Sequence, residues 1–287
     1  MDISALKAFL AVAETQSFSK AAKQLFLTQP AVSKRVATLE SELDTKLFDR
    51  IGRTINLTEA GHTLLPRANR ILLELEDSVR TLANLSGEIK GILRFATSHH
   101  IGLHRLPPAL QRFTKSHPNV QLDIAFMDSE TACRAVERGD MELGIVTLPL
   151  EQSAQLKTVT IWPDPLTAVI GHGHTLASKN RITLNDLASH PAILPATNTY
   201  TRQIAEQAFN KLGLELDVSL STNYLETIKM LVSVGIGWSV LPETMLDKKV
   251  RRLPIKSLRL QRNLGVVFHR ERTLSNAARR LINLLEQ

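Results

Sequence analysis

The sequence predicts a mixed α/β protein in which a small, mainly helical N-terminal part precedes a larger part of alternating strands and helices. Apolar residues recur every three to four positions through residues 3–85, as in amphipathic helices. From residue 91 onward, β-like and helix-like segments alternate, which is typical of βα units around a parallel sheet. The length of 287 residues allows roughly two domains of 100–200 residues each.

The composition is that of an ordinary globular protein, with 43% hydrophobic and 22% charged residues. It excludes intrinsic disorder and a low-complexity fibre. No apolar run approaches the roughly 20 residues that cross a bilayer, and the N-terminus lacks the layout of a secretory signal. We therefore expect a cytoplasmic protein with no membrane partner. The single cysteine, Cys133, excludes an internal disulfide and is expected to be a small buried hydrophobe.

The formal net charge of +7 invites the inference of a nucleic-acid partner, but its distribution does not identify one. Residues 1–90 carry twelve lysines and arginines against eleven acidic residues, and residues 91–246 carry twelve against fourteen. Residues 247–287 carry eleven against three. The excess therefore lies in the C-terminal segment, whose basic residues we expect to be solvated, and only local arrangement can indicate DNA binding.

Two short helices near the N-terminus predict a helix-turn-helix. Ser17 is a good N-cap for the first of them, and Thr28 opens the next with Pro30 in its first turn, where a missing N–H is tolerated. Polar residues occupy the first two turns of that later helix, which is the part that reaches bases and phosphates in the DNA major groove. The alternative is a small helical module whose polar side chains are merely solvated.

A short hairpin with a glycine tip and then a long helix follow this motif. Arg50 and Arg53 flank the tip, so the hairpin has the character of a wing that reaches the minor groove or the backbone. The long helix begins after Thr58, and its apolar or small residues are spaced by three and four. That spacing indicates a seam for pairing with a second helix, or else packing on its own chain. The seam consists of Leu64, Ala68, Ile71, Leu75, Val79, Leu82 and Leu85.

Five sequence blocks within residues 1–61 carry a family resemblance. They are SFSKAA at residues 17–22, LTQPAVS at 27–33, LE at 39–40, LFDR at 47–50 and LTEAG at 57–61. In this order and spacing they resemble the LysR-type bacterial transcriptional regulators. The resemblance implies a winged helix-turn-helix that binds an interrupted dyad in double-stranded DNA as a dimer, often within a tetramer, with RNA polymerase as a further candidate partner. By motif, Gln29, Pro30 and Ser33 would meet base edges, Thr28 and Lys34 would meet phosphate, and Arg50 and Arg53 would be the wing contacts.

The same resemblance implies a domain organisation. Residues 1–58 would form the winged helix-turn-helix, residues 59–90 the dimerisation helix and hinge, and residues 91–287 a periplasmic-binding-protein-like effector domain. Within that domain we expect one subdomain at about residues 91–161 and 265–287, and a second at about residues 162–264. A small metabolite bound between the two would modulate DNA binding.

Three segments are expected to line the effector cleft. Ligands of such sheets bind outside the carboxyl ends of strands, where helix N-termini direct free N–H groups and a positive dipole end into the cleft. Residues 97–102 follow the first strand of the α/β part, Thr147 ends its third strand, and residues 197–202 open a helix in the second half. Their hydroxyl and amide donors suit a carboxylate or another small anion, although each could also be an ordinary N-cap. The candidate effector residues are Ser98, His99, His100, Ile101, Thr147, Thr199, Tyr200 and Thr201.

Other classes of function are disfavoured. His100 and His104 have a spacing that zinc ligands use on one helix face, but no cysteine or carboxylate lies within a few residues of them, so we expect no metal site. An enzyme is a competing interpretation, yet no Gly-rich phosphate loop, nucleophile elbow or metal-ligand set is present. An aromatic content of 5% offers an RNA-binding protein few stacking platforms. We therefore expect a regulator that is not an enzyme and has no cofactor other than a small-molecule co-effector.

Overall fold

The computed structural model describes residues 1–51, 54–179, 181–255 and 257–287, apart from the side chains of residues 50, 51 and 54. The chain divides into two compact units, Met1–Ser86 and Gly87–Gln287. Within the described ranges, every helix is too short or too polar to traverse a lipid bilayer.

The N-terminal unit begins with three helices, which are α1 (Ile3–Thr15), α2 (Phe18–Gln24) and α3 (Gln29–Glu42). The predicted caps are confirmed. The Ser17 hydroxyl accepts a hydrogen bond from the Lys20 amide at 3.3 Å, and the Thr28 hydroxyl accepts one from the Ala31 amide at 3.4 Å. The inward faces of the three helices share one apolar core, which is what fixes α3 at a defined angle to α2.

A two-stranded antiparallel hairpin, β1 (Phe48–Ile51) and β2 (Thr54–Leu57), follows α3 as predicted. Glu40 of α3 ties the two together. Its buried carboxylate accepts hydrogen bonds from the amides of Leu47 (2.9 Å) and Phe48 (3.4 Å) and from the Lys46 ammonium (3.0 Å). Charge-assisted bonds of this kind are among the stronger ones in proteins, so Glu40 sets the position of the hairpin relative to α3.

The long helix α4 (Glu59–Asn84) is capped by Thr58, whose hydroxyl accepts a hydrogen bond from the Gly61 amide at 3.0 Å. The two alternatives for the predicted seam apply to different parts of it. Its first two positions pack on the same chain, since Leu64 packs against the core of the N-terminal module and Ala68 is fully buried in it. Beyond them the apolar stripe faces outward. The exposed fractions are 39% for Ile71, 40% for Leu75, 62% for Val79, 68% for Leu82 and 79% for Leu85.

The larger unit contains the remaining strands and helices. The strands are β3 (Gly91–Thr97), β4 (Val120–Phe126), β5 (Leu143–Thr147), β6 (Leu156–Gly171), β7 (Ala192–Leu194), β8 (Val218–Ser221), β9 (Ser239–Pro242), β10 (Val250–Arg252) and β11 (Leu260–His269). The helices are α5 (His99–His104), α6 (Pro107–Ser116), α7 (Ser129–Arg138), α8 (Leu184–Ala188), α9 (Tyr200–Asn210), α10 (Leu225–Ser233) and α11 (Asn276–Leu285). Two short 3-10 turns lie at Thr175–Ser178 and Glu243–Met245.

The main sheet is mixed rather than parallel. Its order is β10-β6-β11-β5-β3-β4, with β9 also pairing with β6. The predicted parallel pairing holds for β3 with β4 and β5, whereas β6, β9, β10 and β11 join by antiparallel pairs. The β-like pattern of the sequence predicts strands at residues 166–170 and 264–268, which are only parts of β6 and β11. It therefore missed that β11 pairs along its whole length with residues 156–166 of β6.

These two long strands connect two lobes. The first lobe comprises β3–β5, α5–α7 and α11, with cores around Phe95 and Val146, and the second comprises β7–β10 and α8–α10, with cores around Phe209 and Ile228. Strand β11 contributes Leu264 to a first-lobe core and Leu260 to a second-lobe core. The register between β6 and β11 shifts at Leu264 and Gly265, where the chain passes from one lobe to the other.

One predicted helix is divided in two. The helix-like pattern of the sequence predicts one helix over residues 103–115, but α5 ends at His104 and α6 begins at Pro107. Proline lacks a backbone N–H and disfavours helical geometry in the residue before it, so it starts a helix more readily than it continues one. As a result α5 is a separate element directly after β3, at the carboxyl end of the sheet.

Candidate functional site

The predicted DNA-contacting residues lie at the start of α3. Thr28, Gln29, Pro30 and Lys34 are exposed and Ser33 is half-buried. The Gln29 amide nitrogen donates a hydrogen bond to the Ser33 hydroxyl at 2.8 Å, so these two side chains share one face of the helix.

The predicted wing arginines are only partly described. Arg50 has its backbone in β1, opposite Ile55 of β2. Its side chain, and Arg53 as a whole, lie outside the described residues.

A small cavity of about 50 Å³ lies where β3 and β5 end and α9 begins. Six of the eight predicted effector residues line it, namely Ser98, His99, His100, Thr147, Thr199 and Thr201. The other lining residues are Asp128, Ser129, Glu130, Pro195, Asn223, Leu225 and Arg262. The cavity lies at the carboxyl ends of strands, as is general for ligand sites in such sheets. There the fold brings together residues that are far apart in the sequence.

The two other predicted effector residues lie elsewhere. Ile101 is fully buried in the main core of the first lobe, because it projects from the inward side of α5. Tyr200 packs against the core that contains Cys133 and lines a separate depression with Glu137 and Gln203.

Arg262 of β11 supplies the positive charge of the cavity. Its side chain is only 5% exposed, its Nε donates to Asp164 at 2.8 Å, and its Nη1 donates to the Thr201 hydroxyl at 2.9 Å. The fully buried Asp164 also accepts from Arg105 at 3.2 Å. Burial lowers the pKa of Arg262 and the Asp164 carboxylate opposes that shift. Among the described residues, no group accepts a hydrogen bond from Nη2 of Arg262.

Sequence reasoning missed Arg262 because it treated the basic C-terminal segment as solvated. That expectation is wrong for this residue, which is 6% exposed. Its partners Thr201 and Asp164 are 61 and 98 positions away, so no local pattern marks it.

Glu130 of α7 closes the cavity from the first lobe. It is 7% exposed, and its carboxylate accepts a hydrogen bond from the Tyr200 amide at 2.5 Å. Burial raises the pKa of this carboxyl group. The Thr199 hydroxyl accepts from the Arg202 amide at 3.3 Å and donates to the Ala196 carbonyl at 2.8 Å. Residues of the chain itself therefore already occupy the start of α9, which the sequence had suggested was free for a ligand.

A wider depression of about 460 Å³ adjoins the cavity and shares Ser98, His99, Asp128 and Asn223 with it. The His99 ring lies between Phe126 and Tyr224, with ring centroids 5.3 Å and 4.8 Å apart. Most side chains that line the inner cavity are polar, and the outer depression carries these three aromatic rings. Together they have the form of a ligand site with a polar end and a broader, flatter mouth.

Two family matches cover nearly all of the chain. Residues 3–62 match the bacterial regulatory helix-turn-helix protein, lysR family, and residues 86–287 match the LysR substrate binding domain. This chain belongs to the LysR family. It is therefore a DNA-binding transcriptional regulator with a helix-turn-helix and an effector-binding domain, and the family is one of regulators rather than enzymes. The resemblance read from residues 1–61 and the predicted fold class are both confirmed.

Relatives of this LysR-family regulator are themselves transcriptional regulators. An uncharacterized regulator from the ibpB-leuC intergenic region of Azotobacter vinelandii is 65% identical over 108 residues, which is 38% of this chain and 75% of the relative. The uncharacterized regulator YybE of Bacillus subtilis is 28% identical over 280 residues, covering 97% of this chain and 96% of its own. Among solved structures, a full-length OxyR variant from Pseudomonas aeruginosa has a TM-score of 0.70 at 21% identity, covering 100% and 98% of the two chains. CbnR in complex with its target DNA has a TM-score of 0.64 at 21% identity, with 99% of each chain covered.

Proposed function

We propose that this regulator responds to a small organic acid whose carboxylate binds Arg262. The observation that carries the proposal is the Nη2 group of Arg262, a buried donor that lines the cavity and lacks a hydrogen-bond acceptor among the described residues. A buried guanidinium donor without a partner is costly, and a carboxylate would supply a charge-assisted bond to it. The hydroxyls of Ser98 and Thr201 lie in the same cavity and can orient the second oxygen.

The acidic residues of the cavity narrow the chemistry of this effector. Asp128 and Glu130 line the same space as Arg262, and a ligand with negative charge alone would be repelled by them. A hydroxyl or ammonium group on the ligand would instead donate to these carboxylates. We therefore favour a hydroxy or amino acid over a simple fatty acid or a phosphate.

The volumes of the inner cavity and of the outer depression indicate which part of the ligand each would hold. The inner cavity of about 50 Å³ holds a carboxyl-sized group, whereas most small-molecule sites measure roughly 300–1,000 Å³. The adjoining depression of about 460 Å³ is large enough for the remainder of the molecule. His99, Phe126 and Tyr224 would there contact the part of the ligand that distinguishes one acid from another.

The effector site is tested by a thermal-shift screen of hydroxy and amino acids against the full chain. Arg262→Lys keeps a positive charge next to Asp164 but removes the free donor, and Arg259→Lys, at an exposed position of the same segment, is the matched control. Loss of one charged hydrogen bond, about 1.5–3 kcal/mol, weakens binding roughly 10-fold or more. The double variant Ser98→Ala and Thr147→Val should likewise reduce the shift. An unchanged ligand-induced shift in Arg262→Lys and in the double variant would refute the site.

We also propose that α3 reads the operator and that the hairpin is a wing. Gln29, Pro30 and Ser33 would contact base edges, Thr28 and Lys34 phosphate, and Arg50 and Arg53 the adjacent groove or backbone. Gln29→Ala or Ser33→Ala should weaken binding to an operator selected from random DNA by about 1–3 kcal/mol and leave non-specific binding unchanged. Because the two side chains are hydrogen-bonded, the double variant should lose less than the sum of the two. Ser41→Ala, at the exposed far end of α3, is the control.

The exposed stripe of α4 supports a homo-oligomer. Ile71, Leu75, Val79, Leu82 and Leu85 form an unpartnered apolar face among the described residues, and a second α4 would cover it. We propose a dimer built on this face, with a tetramer as the further assembly. Val79→Glu should shift the chain toward monomer in analytical ultracentrifugation, whereas Arg80→Glu should not.

The domain limits and cellular context complete the proposal. We propose a winged helix-turn-helix at residues 1–58, a linker helix and hinge at 59–90, and an effector domain at 91–287. Within the effector domain, the chain passes from the first subdomain to the second near residue 161 and returns to the first near residue 265. The regulator would act in the cytoplasm and contact RNA polymerase at its promoters.

A further inference from the structure

A cluster of metal-ligating side chains lies beside the effector cavity and shares only His100 with it. His104 of α5 and Glu226 of α10 are joined by a hydrogen bond of 3.0 Å between Nε2 and Oε1. The ring of His100, one turn earlier on α5, lies 5.0 Å from that of His104, measured between centroids. One ligand atom from each of the three residues lies within 4.8 Å of the other two.

The distances between these ligand atoms are close to those found around a bound zinc ion. Zinc–nitrogen and zinc–oxygen bonds of about 2.0–2.2 Å place tetrahedral ligand atoms roughly 3.3–3.5 Å apart. The three side chains therefore need only small rotations to meet one ion. Glu226 lies 122 positions beyond His104, which is why the sequence around the histidine pair showed no third ligand.

Apart from the geometry of the cluster, the unpaired ring of His100 also indicates a metal ion. It is only 4% exposed, and neither of its ring nitrogens has a hydrogen-bond partner among the described residues. Buried imidazoles are ordinarily hydrogen-bonded or bound to a metal. An imidazole with both ring nitrogens unpaired has a nitrogen lone pair available for a metal ion.

The outer side of the cluster is open to solvent. The His104 and Glu226 side chains are 44% and 39% exposed, so an ion can enter without movement of the backbone. Two imidazoles and one carboxylate leave a fourth position for water. Such a ligand set suits Zn²⁺, Co²⁺ or Ni²⁺ and is a poor match for Mg²⁺ or Ca²⁺, which prefer oxygen ligands.

We propose that His100, His104 and Glu226 bind one divalent transition-metal ion, Zn²⁺ or a close neighbour, and thereby link α5 to α10. Helix α5 is anchored in the first lobe through Ile101, and α10 is anchored in the second lobe through Leu225 and Ile228. The ion would hold the two lobes together at the rim of the cleft. Because His100 also lines the effector cavity, the metal ion and the effector would both affect the contact between the two lobes.

The proposal is tested on the tag-free full chain after chelator treatment. Competition with a chromogenic chelator measures Zn²⁺ affinity and stoichiometry, and Co²⁺ substitution reports the ligand geometry through visible absorption bands. We expect one equivalent of Zn²⁺ per chain. His104→Gln and Glu226→Gln should each weaken binding at least about 100-fold, since even outer-shell changes cost 10–100-fold. His62→Gln and Glu215→Gln, at exposed positions elsewhere, are the matched controls.

The variants change exposed side chains, so tryptophan fluorescence should confirm that they fold like the wild type. Zn²⁺ should raise the Tm of the wild type and of both controls but not that of His104→Gln or Glu226→Gln. Absence of stoichiometric Zn²⁺ and Co²⁺ binding by the wild type would overturn the proposal. So would binding that His104→Gln and Glu226→Gln leave unchanged, since the ion would then reside elsewhere.

Discussion

Replacing Asp164 by Asn tests the charge cluster on which the proposed effector site is built. Asp164 is fully buried and accepts hydrogen bonds from Arg262 at 2.8 Å and from Arg105 at 3.2 Å. Asparagine keeps the shape and one acceptor oxygen but removes the negative charge. Arg262, at 5% side-chain exposure, would then remain charged in the interior without the carboxylate to which it is hydrogen-bonded. Leaving one member of a buried pair uncompensated costs about 3–5 kcal/mol. For a domain of this size, that lowers the Tm by about 6–20 °C.

A matched control isolates the effect of burial. Asp123 also accepts a hydrogen bond from an arginine Nε, that of Arg94, at 3.1 Å, but the Arg94 and Asp123 side chains are 60% and 55% exposed. Asp123→Asn should therefore cost at most about 1 kcal/mol, because solvent screens such pairs. The same chemical change is thus compared at a buried and at an exposed position.

Urea unfolding followed by tryptophan fluorescence measures both variants in the full chain. The two tryptophans, Trp162 and Trp238, lie in the larger unit and report on cores of the first and second lobe respectively. A loss of stability in Asp164→Asn no greater than that in Asp123→Asn would refute the argument. It would mean that water or local relaxation stabilises the charge of Arg262. The unpartnered Nη2 would then no longer indicate a bound ligand.

Three further changes test other parts of the structure. Glu40→Gln removes the charge that holds the hairpin to α3, so we expect faster hydrogen exchange at the amides of Leu47 and Phe48 and a cost of about 1–3 kcal/mol. Glu42→Gln removes only an exposed ion pair with the Met1 amino group, so it should cost at most about 1 kcal/mol and leave those two amides unchanged. Burial raises the pKa of Glu130 above its ordinary value of 4.5, so the stability of the wild type should fall as the pH rises above about 4.5 and this carboxyl group ionises; Glu130→Gln should lack this part of the pH dependence in thermal unfolding at several pH values. Burial raises the pKa of the Cys133 thiol to about 12, so the native chain should resist a thiol reagent that labels the urea-unfolded chain at once, and rapid native labelling would contradict the buried placement.

Features governed by neighbouring residues could be predicted from the sequence. The hydroxyls of Ser17, Thr28 and Thr58 each cap the helix that they were expected to open, because a capping bond spans only three residues. Thr147 was expected at the cleft because it ends a buried strand, and it lines the cavity. The chemistry of the side chains and the spacing of apolar residues along the chain are sufficient to predict such features.

Features that depend on distant pairing could not be predicted in this way. The antiparallel alignment of β6 with β11 joins segments about a hundred residues apart, and nothing within either strand specifies its partner. Arg262 appeared as one of many basic residues near the C-terminus, although the fold buries it against Asp164. Glu226 likewise has no local relation to the histidines that it approaches. The charged groups of the cavity are thus the part of the site that only the fold reveals.

Among the contacts that join the lobes at the cleft, the His104–Glu226 pair and the Glu130–Tyr200 hydrogen bond differ in strength. The His104–Glu226 pair is exposed, and such pairs contribute at most about 1 kcal/mol. The Glu130 carboxylate is buried and bonds the first amide of α9 at the positive end of that helix, where hydrogen bonds to charged groups contribute about 1.5–3 kcal/mol. In the absence of a metal ion, Glu130 therefore contributes more to closure than the histidine pair. A ligand carboxylate at Arg262 adds an anion beside Glu130, and its own donor group must satisfy Glu130 if the lobes are to stay closed. An acid that lacks such a donor should therefore bind more weakly than a hydroxy or amino acid, because nothing offsets the repulsion between its carboxylate and Glu130.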